Sequence, residues 1–340
     1  MLKVDPRGLL DHVLNLGNQL SADLVKSDNF PKFDYDRILV VGMGGSGVAG
    51  DVLQLILNQY SAIDIEVQKT YKITKKHIEN QPLCLFISYS GNTEETVSAL
   101  GDAIKADLEW CAISSGGTLL EMAKKNSKPY IEVPSGLQPR AAFGLMTKAV
   151  ANFIPISLGV DVMQNCNDSG SYLNELLDNE SENKIIKIAK EIASNIGNKT
   201  VIIYGGTQLS YLASQRWKTQ INENAKSKSY VGYMPEVHHN EILSWEADKD
   251  GSKNNFHLIF LRDQREHPKI KNRFEFTKEI IPKGIEITEI ENIKSDNLIK
   301  ELFHLVLIGD LISVFMADNL NIDPYDIDSI ENLKTMLKEN

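Results

Sequence analysis

The sequence predicts an α/β protein with two doubly wound parallel-sheet domains, at residues 1–160 and 161–340. The length of 340 residues is about twice that of a typical domain of about 150 residues. In both halves, short apolar runs alternate with helical patterns, as in parallel sheets whose two faces are covered by helices. A glycine-rich turn directly follows the run at 37–42 and opens a helix, which is typical of α/β units that bind phosphate groups.

The composition excludes several classes of protein. With 42% hydrophobic and 24% charged residues, the chain is expected to fold as a globular protein. The 36 Lys and Arg against 46 Asp and Glu give a net charge of −10, which argues against nucleic acid as a partner. The first twenty residues read as an amphipathic helix, and the apolar run before residue 317 contains His304 and Asp310. We therefore expect neither a secretion signal nor a membrane span.

The three cysteines are widely spaced and form no CxxC pair. Cys84, Cys111 and Cys166 fit neither a disulfide framework nor a zinc site. Such cysteines are typical of reduced thiols, and the sequence predicts a cytoplasmic protein.

The first half carries the signals of a doubly wound unit. A helix is predicted to start near Ser46, and amphipathic helices separate most of the predicted strands. The predicted strands are 37–42, 63–67, 83–88, 110–114 and 130–133.

A polar stretch at 163–184 predicts a linker into a surface helix, after which the α/β pattern resumes. The two halves are not close sequence repeats, so any duplication is visible only as a pattern. The predicted strands of the second half are 200–206, 256–262 and 285–290, and its predicted helices are 207–226, 267–281, 297–317 and 324–338.

The glycine-rich turn has the GxGxxG spacing of dinucleotide-binding folds. Gly42, Gly44 and Gly47 provide it, and Asp64 or Glu66 lies about 20 residues on, where a ribose-binding acid is expected. The underlying physics is broader, because glycines let the backbone approach any phosphate and helix N-terminal amides hold the anion. The turn alone thus leaves open a dinucleotide, another phosphorylated ligand, or no ligand.

A second polar turn, SYSGNTEET, follows the strand at 83–88. It places the hydroxyls of Ser88, Ser90 and Thr93 around Gly91. Helix capping explains Asn92 or Thr93 but not the whole array. Because neighbouring βα turns converge at the switch point of an open sheet, both turns are expected to reach one phosphate. This arrangement favours a terminal phosphomonoester over a dinucleotide.

GMGGSG followed by SYSGNTEET resembles a sugar isomerase (SIS) domain, a fold that binds phosphosugars. QINENAK at 220–226 and PEVHHNEI at 235–242 extend the resemblance to the bifunctional phosphoglucose/phosphomannose isomerase family, over nearly the whole chain. The resemblance implies two SIS domains and a metal-free, cofactor-free isomerase. It would interconvert glucose 6-phosphate and mannose 6-phosphate with fructose 6-phosphate through a cis-enediol. The implied phosphate-binding residues are Gly44, Gly45, Ser46, Ser88, Ser90 and Thr93.

The resemblance also implies catalytic roles. Glu223 matches the residue that moves the proton between C1 and C2, and Arg140 matches a cation near the enediolate oxygens. His239 matches a ring-opening histidine contributed by the other subunit of a homodimer, with its neighbour His238 as the alternative. Lys334 matches a C-terminal lysine that helps to hold the sugar near its ring oxygen.

Three other functions are compatible with parts of the sequence. One is a related isomerase of another phosphosugar, such as an amino sugar or a pentose. Another is a non-catalytic phosphosugar-binding module, which would usually carry a DNA-binding segment that is not apparent before residue 37. A nicotinamide-dependent dehydrogenase is the third, and it offers no role for SYSGNTEET.

Overall fold

The structure is a computed structural model that describes residues 2–29, 35–154, 156–178, 183–247 and 254–338. Its strands are β1 Val25–Lys26, β2 Arg37–Gly42, β3 Asp64–Gln68, β4 Leu83–Ile87, β5 Trp110–Ser114, β6 Tyr130–Glu132, β7 Thr200–Gly205, β8 Ser229–Tyr233, β9 Phe256–Arg262 and β10 Glu286–Glu291. Its helices are α1 Leu9–Leu14, α2 Leu16–Leu20, α3 Gly44–Tyr60, α4 Lys75–Asn80, α5 Glu94–Lys105, α6 Gly117–Lys125, α7 Phe143–Ala151, α8 Val162–Leu177, α9 Lys184–Ile196, α10 Gln208–Asn224, α11 Ile242–Ala247, α12 Pro268–Ile280, α13 Leu298–Asn319 and α14 Asp328–Lys338.

The chain forms two compact units. The N-terminal unit comprises Asn15–Glu175 and Ser295–Lys300, and the C-terminal unit comprises Met1–Leu14, Leu176–Lys294 and Glu301–Asn340. These bounds differ from the division at 160/161 expected from the sequence. The linker predicted at 163–184 is wrong over most of its length, because α8 occupies Val162–Leu177 and buries an apolar side.

The N-terminal unit contains a six-stranded sheet in the order β1-β6-β5-β4-β2-β3. All pairs are parallel except β1 with β6. Because β3 and β4 lie on opposite sides of β2, the connections reverse direction there, which makes the C-terminal ends of β2 and β4 the switch point of the sheet. Gly42 pairs with Ile87 at this point.

Successive side chains of β2 point to opposite faces of the sheet, and a different helix covers each face. Leu39 and Val41 belong to a buried cluster that includes Ala99 and Leu100 of α5. On the other face, a Cβ at Gly50 of α3 would lie 2.8 Å from Cγ1 of Val40, so a glycine allows this helix to approach closely. Burial of each such aliphatic side chain stabilises the fold by about 1.5–3 kcal/mol.

The C-terminal unit contains a four-stranded sheet in the order β10-β9-β7-β8, with every pair parallel. The connections reverse around β7 as they do around β2. The two parallel sheets, each with its own switch point, confirm the predicted α/β doubly wound class.

Helix α10 packs against α13 inside the C-terminal unit. The indole Nε1 of Trp217 donates a hydrogen bond to the Leu305 carbonyl at 2.7 Å. A Cβ at Gly309 would lie 2.3 Å from the same ring, so α13 needs a glycine where the indole crosses it. The buried guanidinium of Arg216 contacts Asp310, with Nη2 at 2.8 Å from Oδ2. None of the described helices is long and apolar enough to cross a bilayer.

The three cysteines all lie in the N-terminal unit as buried free thiols. Burial raises the pKa of Cys84 and of Cys166 to about 12. Burial also raises the pKa of the Cys111 thiol, and the neighbouring Cys84 raises that pKa further. These cysteines therefore behave as small core side chains rather than as nucleophiles.

Candidate active site

The glycine-rich turn presents the N-terminus of α3 at the switch point of the six-stranded sheet. Gly44 has a φ of +51°, and a Cβ built on it meets no other atom within 4 Å. Met43, the residue before the helix, makes no side-chain capping bond to it. The first-turn amides of this 17-residue helix thus form an anion-binding end beside open space.

The second turn gathers hydroxyl groups at the end of β4. The Ser88 and Thr93 hydroxyl oxygens lie 2.8 Å apart, and the Gly91 amide donates to Ser88 Oγ at 3.1 Å. The Asn92 amide donates to Ser90 Oγ at 3.3 Å. Thr93 precedes α5, yet its side chain makes no capping bond to that helix. Capping alone therefore does not account for the Thr93 hydroxyl, which faces Ser88.

Tyr89 joins the two turns to a third segment. Its backbone amide donates to Ser46 Oγ at 3.1 Å. Its buried phenol donates to the Pro134 carbonyl and accepts from the Leu137 amide, both at 3.0 Å. The segment at 134–137 leads directly to Arg140, so one residue connects the predicted phosphate turns to the segment that precedes Arg140.

Arg140 lies in a short 3-10 turn, Pro139–Ala141, and is 4% exposed. A Cβ at Gly45 would lie 3.3 Å from the Pro139 carbonyl oxygen and 3.7 Å from the Arg140 Cα, so this turn rests against the glycine-rich turn. Gln19 supports it, donating from Nε2 to the Ala141 carbonyl at 2.8 Å. The N-terminal unit thus brings seven of the predicted residues to one place, namely Gly44, Gly45, Ser46, Ser88, Ser90, Thr93 and Arg140.

Glu223 lies in the last turn of α10, in the C-terminal unit. The neighbouring Asn224 is buried and donates from Nδ2 to Ser313 Oγ on α13 at 2.9 Å, which fixes the end of the helix. A cavity of about 490 Å³ lies beside Glu223. Its lining residues are Asn222, Glu223, Lys226 and the residues from Asp326 to Ile330. The volume falls within the range of about 300–1,000 Å³ that is typical of small-molecule sites.

The two adjacent histidines have different surroundings. His238 Nε2 lies 2.8 Å from Thr277 Oγ1 on α12, and its ring meets Phe276 edge-on. Burial, with contributions from Arg273 and His239, lowers the pKa of His238. His239 ends the 3-10 turn Glu236–His239 and is exposed. The structure therefore engages His238 with α12 and presents His239 to solvent.

The segment after His239 is anchored in the core of the same unit. The buried Tyr204 donates a hydrogen bond to the Glu241 carboxylate and accepts one from Trp245 Nε1 at 2.9 Å. Burial and the Glu241 charge raise the pKa of the Tyr204 phenol well above its ordinary value, so it remains a donor. His239 thus lies between two residues with fixed side chains, His238 and Glu241.

Lys334 lies on α14, whose residues from Asp328 to Leu337 are all exposed. It is not among the residues that line the cavity beside Glu223, which reaches along α14 only to Ile330. The structure thus does not bring Lys334 to this cavity.

Comparisons with known proteins agree with these motifs. Residues 33–117 match the SIS domain family, and residues 186–337 match the family described as the bacterial phospho-glucose isomerase C-terminal SIS domain. A bifunctional phosphoglucose/phosphomannose isomerase of Caldicellulosiruptor bescii is 32% identical over 344 residues, covering 97% of this chain and 99% of the relative. The chain belongs to the bifunctional phosphoglucose/phosphomannose isomerase family. The resemblance of the four motifs is thereby confirmed.

More distant proteins share the fold of this family. A crystal structure of a hypothetical protein from Thermus thermophilus superposes with a TM-score of 0.73 at 12% identity, covering 98% of this chain and 91% of that one. A D-glucosamine-6-phosphate 4-epimerase of Sulfolobus acidocaldarius is 27% identical over 303 residues, covering 88% of each chain. The same scaffold therefore also occurs in a relative that is named for a different reaction.

The second sheet of this family member fills its own switch point with side chains. Thr207, at the turn after β7, donates to Asp263 Oδ2 at 2.7 Å, and it also caps α10. Arg262, at the end of β9, is paired with Glu266 at 2.9 Å and with Glu289 at 2.6 Å. A carboxylate in this position would repel a phosphate. The charged and hydroxyl groups described here are therefore engaged with one another at this second switch point.

Sequence reasoning missed Gln19 and Tyr89, which hold other residues in place. Tyr89 lies inside the SYSGNT motif, but its phenol reaches residues 45 and 48 positions away. Gln19 is 122 residues from Ala141. A local sequence pattern does not predict hydrogen-bond partners that are so distant in the chain.

Proposed function

We propose that this chain interconverts glucose 6-phosphate and mannose 6-phosphate with fructose 6-phosphate. The observation that carries the proposal is the pair of joined turns at Ser46 and Tyr89, which offers helix amides and hydroxyls to a terminal phosphate. The near-full-length similarity to curated bifunctional isomerases supports the choice of substrate.

The proposed mechanism moves one proton without net loss or gain. Glu223 removes the C2 proton of the open-chain aldose, the electron pair forms the C1–C2 double bond, and O1 takes up a proton, which gives a cis-enediol. The same carboxyl group returns its proton to C1 while O2 gives up its proton and becomes the carbonyl oxygen of the ketose, so the proton gained at O1 is balanced by the one lost at O2. Glucose and mannose 6-phosphate differ only at C2, so both give the same enediol. In the reverse direction, protonation of C2 on either face yields one aldose or the other.

The other predicted residues serve this proton transfer. Arg140 would stabilise negative charge that develops on the enediolate oxygens, because its charge is fixed and its position is held by Gln19 and Tyr89. His239 would shuttle the proton that opens and closes the sugar ring. Lys334 would hold the sugar near its ring oxygen. The mechanism requires no metal or cofactor.

The decisive experiment offers fructose 6-phosphate to purified, EDTA-treated protein and detects the two aldose 6-phosphates separately. Both products are expected. Glu223→Gln should abolish turnover, while fructose 6-phosphate still raises its melting temperature. Formation of glucose 6-phosphate alone would narrow the activity to phosphoglucose isomerisation. Binding without turnover in the unmodified protein would reject the proposal in favour of another phosphosugar or a sensor, and D-glucosamine 6-phosphate is the first alternative to test.

We also propose a homodimer in which each His239 serves the site of the partner subunit. Exposed aromatic and aliphatic side chains on β8, on α12 and after His239 support this interface, and the ring of one of them, Phe276, meets that of His238. They are Tyr230 at 59% exposure, Tyr233 at 38%, Leu243 at 63% and Phe276 at 50%. A cytoplasmic location is proposed on the basis of the three free thiols and a phosphosugar substrate.

Mixed dimers test the shared site. Glu223→Gln and His239→Gln proteins are each expected to be inactive. After co-refolding at equal amounts, half of the dimers would be hybrids with one intact site, so about a quarter of the normal activity should return if the sites are shared. A mixture that stays inactive, although hybrids are detected by mass, would show that Glu223 and His239 act within one subunit.

A further inference from the structure

Lys226 occupies a backbone position that favours glycine. It follows α10 by two residues and has a φ of +53°. Glycine is the usual residue where a helix ends in this left-handed conformation, since any Cβ is strained there. Lys226 therefore holds a strained backbone conformation that a glycine would relieve.

The Lys226 ammonium joins two separate parts of the C-terminal unit. It donates to the Glu223 carbonyl at 2.7 Å and the Asn224 carbonyl at 3.4 Å, in the last turn of α10. It also donates to the carbonyls of Asp323 at 3.1 Å and Pro324 at 3.3 Å, in the segment that precedes α14. A cation at a helix C-terminus is favourable because unpaired carbonyls give that end a partial negative charge.

The segment contacted by Lys226 is itself fixed. Arg7 Nη2 lies 3.0 Å from Asp323 Oδ2, and the Tyr325 amide donates to Asp323 Oδ1 at 2.8 Å. Pro324 and Tyr325 are buried, whereas the residues of α14 from Asp328 to Leu337 are exposed. This corner is therefore the last buried point before α14. Lys226 connects it to the end of the helix that carries Glu223.

We propose that Lys226 is a positioning residue that holds Glu223 in place by tying the end of α10 to the corner at Asp323 and Pro324. Both Lys226 and Glu223 line the cavity of about 490 Å³, together with Asn222 and the residues from Asp326 to Ile330. The proposal rests on the proposed role of Glu223. It assigns Lys226 no contact with the reacting atoms; a small displacement of the carboxylate is enough to slow proton transfer.

Replacement of Lys226 by glycine separates the positioning of Glu223 from an effect on the stability of the protein. Lys226→Gly removes the ammonium and also relieves the strained backbone. The matched control is Asn321→Gly, because Asn321 is an exposed residue with a φ of +58° just after α13. Lys226→Met removes the ammonium and keeps most of the side-chain length as well as the backbone strain. The kcat and KM for fructose 6-phosphate and the melting temperature are measured for all three variants.

In Lys226→Gly and Lys226→Met, we expect kcat to fall at least about tenfold while KM changes less than about threefold, because only the proton-transfer step is displaced. Asn321→Gly should match the unmodified protein, and the melting temperature of Lys226→Gly should stay within about 3 °C of that control. An unchanged kcat in Lys226→Met, or a loss of kcat that follows the loss of thermal stability in both variants, would overturn the proposal. Turnover by Glu223→Gln would instead reject the proposed role of Glu223, so the two failures are distinguishable.

Discussion

The Ser46 hydroxyl accepts a hydrogen bond from the Tyr89 backbone amide at 3.1 Å. This bond joins the turns that follow β2 and β4 at the switch point of the N-terminal sheet. Ser46 lies in the first turn of α3, and Tyr89 lies between the predicted phosphate ligands Ser88 and Ser90. The two turns that are proposed to bind phosphate are therefore held to each other by a bond within the protein. Such preorganisation lowers the entropy lost on binding.

Ser46→Ala should weaken phosphosugar binding more than it slows catalysis. It removes a predicted phosphate contact and the acceptor of the Tyr89 amide. Because a hydrogen bond to a charged group contributes about 1.5–3 kcal/mol, KM for fructose 6-phosphate is expected to rise at least about tenfold. The kcat should change less, since phosphate is held equally in the ground and transition states. Steady-state kinetics measure both constants. Exposed Ser98 on α5 provides the control Ser98→Ala, and equal KM values for the two variants would contradict the prediction.

The two histidines of HHNE should respond differently to the same substitution. His239→Gln is expected to lower kcat by about 100-fold or more, within the range for loss of a general acid–base group. His238→Gln should retain most activity, because His238 contacts Thr277 and Phe276 rather than solvent. Turnover of both variants is measured under identical conditions with fructose 6-phosphate. The opposite order of activities would transfer the ring-opening role to His238.

The stability of the protein should decrease in mild acid because of His304. Burial lowers the pKa of His304 to about 4, whereas the unfolded chain titrates near 6.5. Below pH 6.5 the unfolded state binds a proton that the folded state excludes. Stability is therefore complete above pH 6.5 and is lost as the pH falls to about 4, by up to about 3 kcal/mol.

Urea unfolding at pH 7 and pH 5 measures this effect in the unmodified protein and in His304→Gln. Burial also lowers the pKa values of His238 and His257, so part of the pH dependence should remain in the variant. The difference between the two proteins isolates His304. Parallel pH profiles would show that His304 is not a source of the acid sensitivity.

Loss of one partner from the buried Arg216–Asp310 pair should be strongly destabilising. The two side chains are 2% and 3% exposed, and a double contact joins them, with Arg216 Nε at 3.1 Å from Oδ1 and Nη2 at 2.8 Å from Oδ2. Asp310→Ala leaves the guanidinium buried without its counter-charge, at an expected cost of about 3–5 kcal/mol in the free energy of unfolding.

An exposed ion pair provides the comparison. Lys75 and Glu79 are 88% and 65% exposed, so Glu79→Ala should change the free energy of unfolding by less than about 0.5 kcal/mol. Urea titration followed by circular dichroism compares the two variants. A cost below about 1 kcal/mol for Asp310→Ala would mean that α10 and α13 are held together mainly by their apolar contacts.

The fold was predictable where strands are buried on both faces. β4 and β5 are buried along their whole length, and their mainly apolar sequences were enough to predict both strands. β8 was missed because Ser229–Tyr233 is short, contains Gly232 and exposes both tyrosines, so its place depends on pairing with β7. Helix α8 was hidden by polar residues, although its buried members follow helical spacing; they are Val162, Cys166, Ser169, Leu173 and Leu177.

For the site, the sequence sufficed wherever a short motif lies at the end of a strand. Ser88, Ser90 and Thr93 are such a case, because their geometry follows from one turn. The supports of the site were not predictable, since Gln19 and Lys226 contact residues that are distant in sequence. Their roles depend on how helices end and meet, which local patterns do not encode.

The buried thiols make the opening of one unit of this enzyme measurable by the rate of cysteine labelling. Cys84, Cys111 and Cys166 all belong to the N-terminal unit, while Trp217 and Trp245 belong to the C-terminal unit. A thiol reagent in solution can modify these cysteines only after the N-terminal unit opens. Labelling rates therefore time that opening. Because Trp110 lies in the same unit as the thiols, the tryptophan emission of a Trp110→Phe variant tells whether the half that carries Glu223 opens with it or later.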